Sequence, residues 1–177
     1  YLPLIGINDS NFNYSETNLH NQKLYFLDGY FNQNWTYNKI DSIFKILKLK
    51  PIKLSDKNQK LCNQNVVIHI RGGDFLSIKH LNIYKLDYYK NSIKYCLSIG
   101  LKKFLIISED QKYAKEMMIE LKKYFSNLQI SILKSDSIKN DFNLIRSSKF
   151  AILSNSTFSW WASFLSNTKQ EFLVPSN

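Results

Sequence analysis

Arginine is scarce in this sequence. Arg71 and Arg146 are the only two in a chain of 177 residues that carries 24 Lys and Arg together, against 14 Asp and Glu, for a net charge of +10. Cysteine is too rare for a disulfide scaffold: Cys62 and Cys96 stand alone, so a reducing compartment is expected. Five glycines and three prolines exclude collagen-like and low-complexity chains. No apolar run is long enough to span a membrane, and no stretch has the form of a signal peptide. Site patterns are missing too. There is no G-x-x-x-x-G-K-[ST] phosphate loop, no G-x-G-x-x-G fingerprint, no zinc-type His/Cys cluster and no Asp-x-Asp pair for a divalent ion.

What remains is an ordinary globular chain, 44% hydrophobic and 21% charged, with a pI near 9.5. A basic surplus favours anionic partners: nucleic acid, acidic lipid headgroups or phosphorylated small molecules. The lysines, however, are spread at helical spacing on polar faces, as in Gln111–Tyr124, and form no basic block. Nucleic-acid binding is therefore the weaker reading. An arginine kept in a lysine-rich background suits a task that lysine does poorly, the bidentate grip of an oxyanion. Arg71 fits that description, while Arg146 reads as incidental.

Tyr1–Asn38 shows no sustained period, Ile40–Leu49 has helical spacing ahead of Pro51, and Lys57–Asn65 reads as a polar connector. Beyond it the pattern becomes regular. Strands are expected at Val66–Ile70, Lys103–Ile107, Gln129–Leu133, Phe150–Leu153 and Glu171–Val174. Helices are expected at Leu86–Ile99, closed by Gly100, and at Gln111–Phe125, Asp141–Ser148 and Phe158–Leu165. Strict alternation of this kind implies an α/β fold with a parallel sheet flanked by helices, whose ligands bind beyond the carboxyl ends of the strands.

Three strand exits carry polar clusters: His69 with Arg71-Gly72-Gly73-Asp74, then Ser108-Glu109-Asp110, then Ser154-Asn155-Ser156-Thr157 at the start of a helix. Hydroxyls and unpaired N–H groups at the positive end of a helix suit a phosphate, although plain N-capping uses the same residues. Opposite Arg71 in a glycine-bearing loop, they outline a diphosphate site. Trp160 and Trp161 read as core, and His20 and His80 as surface residues.

These same residues carry a resemblance. His69-Ile-Arg71-Gly-Gly-Asp74 resembles the His-x-Arg-Arg-x-Asp motif of the bacterial α-1,2-fucosyltransferase family. Asp141-Phe142, followed by Ser154-Asn-Ser-Thr-Phe-Ser-Trp-Trp-Ala162, is similar to that family's second signature almost letter for letter. Ser108-Glu109-Asp110 and Leu27–Gln33 resemble two further family segments, so the likeness runs from about Gly29 to Pro175.

The resemblance implies an inverting transferase, without metal or other cofactor, that moves L-fucose from GDP-fucose to the 2-hydroxyl of a galactose in a surface glycan. It implies the Rossmann-like donor half of a GT-B-type enzyme over residues 63–177, with 1–62 as part of the acceptor-side half. His69 and Arg71 would lie on the diphosphate as catalytic groups, with Asp74 orienting the loop. Ser156 and Thr157 would touch the phosphates, Phe158 the nucleoside, and Asp141 the guanine. Gly72, Gly73, Ser108, Glu109 and Asn155 complete the expected donor site. The implied setting is cytoplasmic, with peripheral contact at the inner face of the membrane. Gly72 replaces the motif's second arginine and so removes a cation. A GDP-sugar-binding remnant without turnover is the alternative reading, followed by a basic nucleic-acid-binding domain.

Overall fold

The computed structural model describes residues 4–8, 24–28, 54–77, 86–134, 136–166 and 170–175, the first two segments by their backbone only. The expected helix at Ile40–Leu49 lies outside these residues. The chain divides into two compact units, residues 1–49 and 50–177. In the first, strands β1 (Leu4–Asn8) and β2 (Leu24–Asp28) pair in parallel. Neither strand was read from the sequence, because each is a lone five-residue segment in an aperiodic, Asn-rich setting.

The second unit opens with helix α1 (Asp56–Gln64) where the sequence suggested a connector. Its composition is polar, with Leu61 and Cys62 its only apolar residues, so no apolar stripe announces it. A local cap and a tertiary contact hold it. The Ser55 hydroxyl caps the first turn by accepting from Asn58 N at 3.3 Å, and Cys62 is buried with its thiol 3.4 Å from Leu144 O. This attachment goes with the place of α1 in the second unit.

The remaining elements alternate: β3 (Val66–His69), α2 (Leu86–Ser98), β4 (Lys103–Ile107), α3 (Gln111–Tyr124), β5 (Gln129–Ile132), α4 (Ile138–Ser147), β6 (Phe150–Ile152), α5 (Thr157–Phe164) and β7 (Glu171–Leu173). Each matches its sequence expectation to within a few residues. The largest shift is at α4, which starts three residues early because the Ser137 hydroxyl accepts from Asn140 N at 3.2 Å. Gly100 closes α2 at φ +87°, where Leu101 N reaches Cys96 O at 2.9 Å.

All five strands are parallel, in the order β5-β4-β3-β6-β7. The expected Rossmann-like sheet is therefore present. Side chains alternate across it. Val66, Ile68, Ile70, Phe104 and Ile106 pack against Tyr89, Ile93 and Cys96 of α2 and Ala114, Met117 and Leu121 of α3. Val67, Ile107, Ala151 and Leu153 pack with Cys62, Leu144, Ile145 and Ala162 of α1, α4 and α5 on the other face. This double burial explains why β3 is buried throughout and apolar up to His69.

Arg146 is not incidental. It is 7% exposed, its Nε donates to Leu165 O at 2.6 Å, and Ser166 Oγ donates to Arg146 O at 2.7 Å, so it ties the end of α4 to the end of α5. Trp160 and Trp161 are half-buried and form an aromatic group with Phe164, the Trp160 and Phe164 rings stacked at 4.9 Å. No helix among the described residues is long and apolar enough to cross a membrane.

Candidate functional site

The strand order reverses at β3. The chain runs outward from β3 to β4 and β5, then returns to place β6 on the other side of β3. In an open parallel sheet this reversal leaves a crevice beyond the strand ends. The exits of β3, β4 and β6 lie side by side there, as the sequence expected.

On the β6 flank, His69 is 3% exposed, and its Nδ1 shares a 2.7 Å hydrogen bond with the buried Ser154 Oγ. Its ring lies 5.7 Å from that of Phe158, which meets Phe142 edge-on at 5.4 Å. Ser156 occupies the N-cap of α5, but its hydroxyl makes no capping bond, so the capping explanation of this serine does not hold. Thr157 and Phe158 are half-buried, and Asn155 is exposed. Asp141 is buried in the first turn of α4, one residue before Phe142. Two tyrosines of α2 secure the strand ends: Tyr88 Oη donates to Leu153 O at 2.7 Å and Tyr89 Oη to His69 O at 3.3 Å. Sequence reading missed both, since a tyrosine on a helix face gives no sign of which carbonyl it will meet.

On the β4 flank, Arg71 Nη2 meets Asp74 Oδ1 at 2.7 Å, and Nη1 meets Glu109 Oε1 at 3.2 Å. Its Cζ lies 4.6 Å from the centre of the Phe75 ring. Gly72 N donates to Glu109 Oε1 at 2.9 Å and Gly73 N to Asp110 Oδ2 at 3.0 Å. Asp110 also caps α3, accepting from Tyr113 N at 2.9 Å, and these backbone N–H groups hold its carboxyl below the usual range. Ser108 is buried, and its hydroxyl closes the turn to Asp110 N at 3.1 Å. Gly73 adopts φ +57°, a region that favours glycine.

β3 thus stands between the two groups the sequence set opposite each other. The guanidinium is held on the β4 side, the helix tip belongs to the β6 side, and His69 lies between them. Among the described residues, no group of three or more His, Cys, Asp or Glu could hold a metal ion. At the opposite, amino ends of the strands, an open groove of about 510 Å³ is lined by Gln59, Asn63, Lys149 and Glu171 among others. It gathers no comparable set of polar groups.

His69 is neutral at physiological pH. Burial, then the Arg71 charge, pushes its pKa down to about 3 from an ordinary 6.5. It therefore supplies a hydrogen bond rather than a positive charge. Between these two values the unfolded chain takes up a proton that the folded chain refuses, so stability is full above pH 6.5 and falls as the pH drops. Going from pH 7 to pH 5 should cost about 2 kcal/mol from this group, at about 1.4 kcal/mol per pH unit. Urea midpoints at the two pH values check this. His69→Asn, which keeps a polar atom toward Ser154, should lose most of the difference, and an equal drop in the variant would contradict the assignment.

A family profile, glycosyl transferase family 11, matches residues 7–177. The chain belongs to glycosyl transferase family 11. This agrees with the fucosyltransferase-family resemblance drawn from the motifs. The family-11 chain is 30% identical over 111 residues to an Escherichia coli α-1,2-colitosyltransferase, covering 60% of this chain and 38% of that protein. It is 26% identical over 112 residues to the Escherichia coli O-antigen biosynthesis glycosyltransferase WbnK, covering 60% and 36%. These matches span less than two-fifths of either relative. Among solved structures, it is similar to POFUT1 in complex with GDP-fucose (TM-score 0.46, 12% identity, covering 80% of this chain and 46% of that one). It is also similar to the Escherichia coli heptosyltransferase WaaC (TM-score 0.48, 10% identity, covering 89% and 50%).

Proposed function

We propose that this family-11 chain carries the donor-binding half of an inverting, metal-independent glycosyltransferase that moves L-fucose from GDP-fucose to the 2-hydroxyl of a galactose in a glycan. One observation carries the reading: the His69–Ser154 pair, 2.7 Å apart at the reversal of strand order, next to a helix N-terminus whose Ser156 hydroxyl is not used in capping. The helix tip beyond β6 and the Arg71 guanidinium, held on the β4 side, flank the exit of β3 from its two sides, which supports reading them as the two ends of one diphosphate site. The relatives named as an α-1,2-colitosyltransferase and an O-antigen glycosyltransferase support the linkage and the glycan acceptor. A cytoplasmic setting at the inner face of the membrane is part of the same proposal.

In the transfer, the acceptor oxygen forms a bond to the sugar's anomeric carbon while the bond from that carbon to the diphosphate oxygen breaks. The electron pair leaves with the diphosphate, and the acceptor's proton goes to a base. Negative charge grows on the diphosphate, where Arg71 and the first N–H groups of α5 oppose it. Positive charge grows on the ring, and the Asp74 carboxylate on the β4 flank suits that side. Neutral His69 supplies a hydrogen bond to the diphosphate through the ring nitrogen not bonded to Ser154.

Incubation of the protein with GDP-fucose and lactose tests this. The expected result is a fucosylated product of inverted configuration, at a rate that EDTA does not change. GDP binding without transfer would favour the remnant reading, and a strict magnesium requirement would overturn the metal-free one.

A further inference from the structure

We infer that Glu109 is a positioning residue for Arg71, rather than a contact of the nucleotide. This rests on the reading of Arg71 as the cation of the donor site. A free arginine side chain carries about 2 kcal/mol of rotamer entropy, which weakens any grip that has to be formed anew at each binding event. Here the guanidinium is already fixed on three sides. Glu109 Oε1 forms an ion pair with Nη1 at 3.2 Å, Asp74 Oδ1 accepts from Nη2, and the Phe75 ring lies against Cζ at 4.6 Å. Arg71 Nε is buried and has no hydrogen-bond partner among the described residues, so it takes no part in orienting the group.

Glu109 differs from Asp74 in what else it holds. The oxygen that meets Arg71 also accepts from Gly72 N at 2.9 Å, which locks the guanidinium and its own backbone to one atom. That atom belongs to the exit of β4, a central strand. The next residue, Asp110, holds Gly73 N and caps α3 at the same time. The loop beyond β3 is thus splinted by two consecutive carboxylates on rigid elements, and the arginine is aimed before any ligand arrives. Two of its five N–H donors meet carboxylates, and others are left for an anion.

Glu109→Gln keeps an acceptor for Gly72 N and removes the charge facing Arg71. It should raise the dissociation constant of GDP about tenfold and lower kcat more than it changes KM for the acceptor. In an Arg71→Ala background the same change should add less than twofold, because its effect passes through the guanidinium. Phe75→Leu should act in the same direction, more weakly. Equal effects of Glu109→Gln in the two backgrounds would overturn the inference, as would no effect in the otherwise unchanged protein. Arg71→Ala alone with unaltered GDP affinity would instead sink the donor-site reading. The positioning can then still be judged without ligand: the Arg71 guanidinium nitrogen and Gly72 amide resonances should move together in Glu109→Gln, and unmoved resonances would refute it.

Discussion

Replacing Arg71 with lysine should cut transfer about 10²–10³-fold, the usual loss when one charge-stabilising donor is removed from a transition state. Lysine keeps the charge, so the expectation rests on geometry. The guanidinium presents five donors in a plane, which lets it meet Asp74, Glu109 and an anion at once. A lysine has three donors around a point charge and cannot lie flat on Phe75. GDP affinity should fall alongside the rate, since an unreacted diphosphate is already charged. Lys122→Ala, on the exposed side of α3, serves as the control and should stay within about twofold. Isothermal titration with GDP and steady-state transfer rates give both readouts. Equal losses in the two variants would remove Arg71 from the site.

Gly72→Arg, which restores the second arginine of the family motif, should damage the protein rather than improve it. A Cβ at residue 72 would lie 2.7 Å from Asp110 Cβ, 3.0 Å from Asp110 Oδ2 and 3.1 Å from Tyr113 Cδ1. Asp110 cannot swing aside cheaply, because one oxygen caps α3 and the other holds Gly73 N. Overpacking of this kind costs about 1–3 kcal/mol, and relief requires the loop that carries Arg71 to move. Gly72→Ala should show nearly the same loss, since the clash begins at Cβ. Gly73→Ala is the contrast: its nearest neighbour would be Glu109 Oε1 at 3.9 Å, so only the φ +57° conformation resists, at about 1–2 kcal/mol. Urea unfolding and GDP titration measure the series. A Gly72→Arg protein of unchanged stability and faster turnover would refute the account. The glycine is therefore more than a lost cation: its backbone has been drawn against the β4 exit, where no side chain fits.

The regular half of the fold was legible because its strands are buried on both faces and its helices on one, so burial writes period and apolar runs directly into the residues. Polar α1 left no such trace; a capping serine and one buried cysteine hold it. β1 and β2 were missed for want of any period around them. The family was legible in the Ser154–Ala162 run, and the three polar exits followed from the ligand rule for parallel sheets. The partners within those exits were not legible. Nothing in the letters says that Ser108 closes its own turn, that Phe75 lies against Arg71, or that Arg146 is buried between two helix ends.

The sequence alone determined the alternation of elements, the apolar faces of the sheet and the polar clusters at three strand exits. Those properties depend on each residue's own chemistry and on spacing along the chain. Only the tertiary structure decided that β6 returns beside β3, that His69 is kept neutral, and that Arg71 is held by Glu109 while the helix tip lies on the other flank. Each of those depends on strand order and burial, which bring together groups between 38 and 85 residues apart or strip water from them, and no local pattern encodes either.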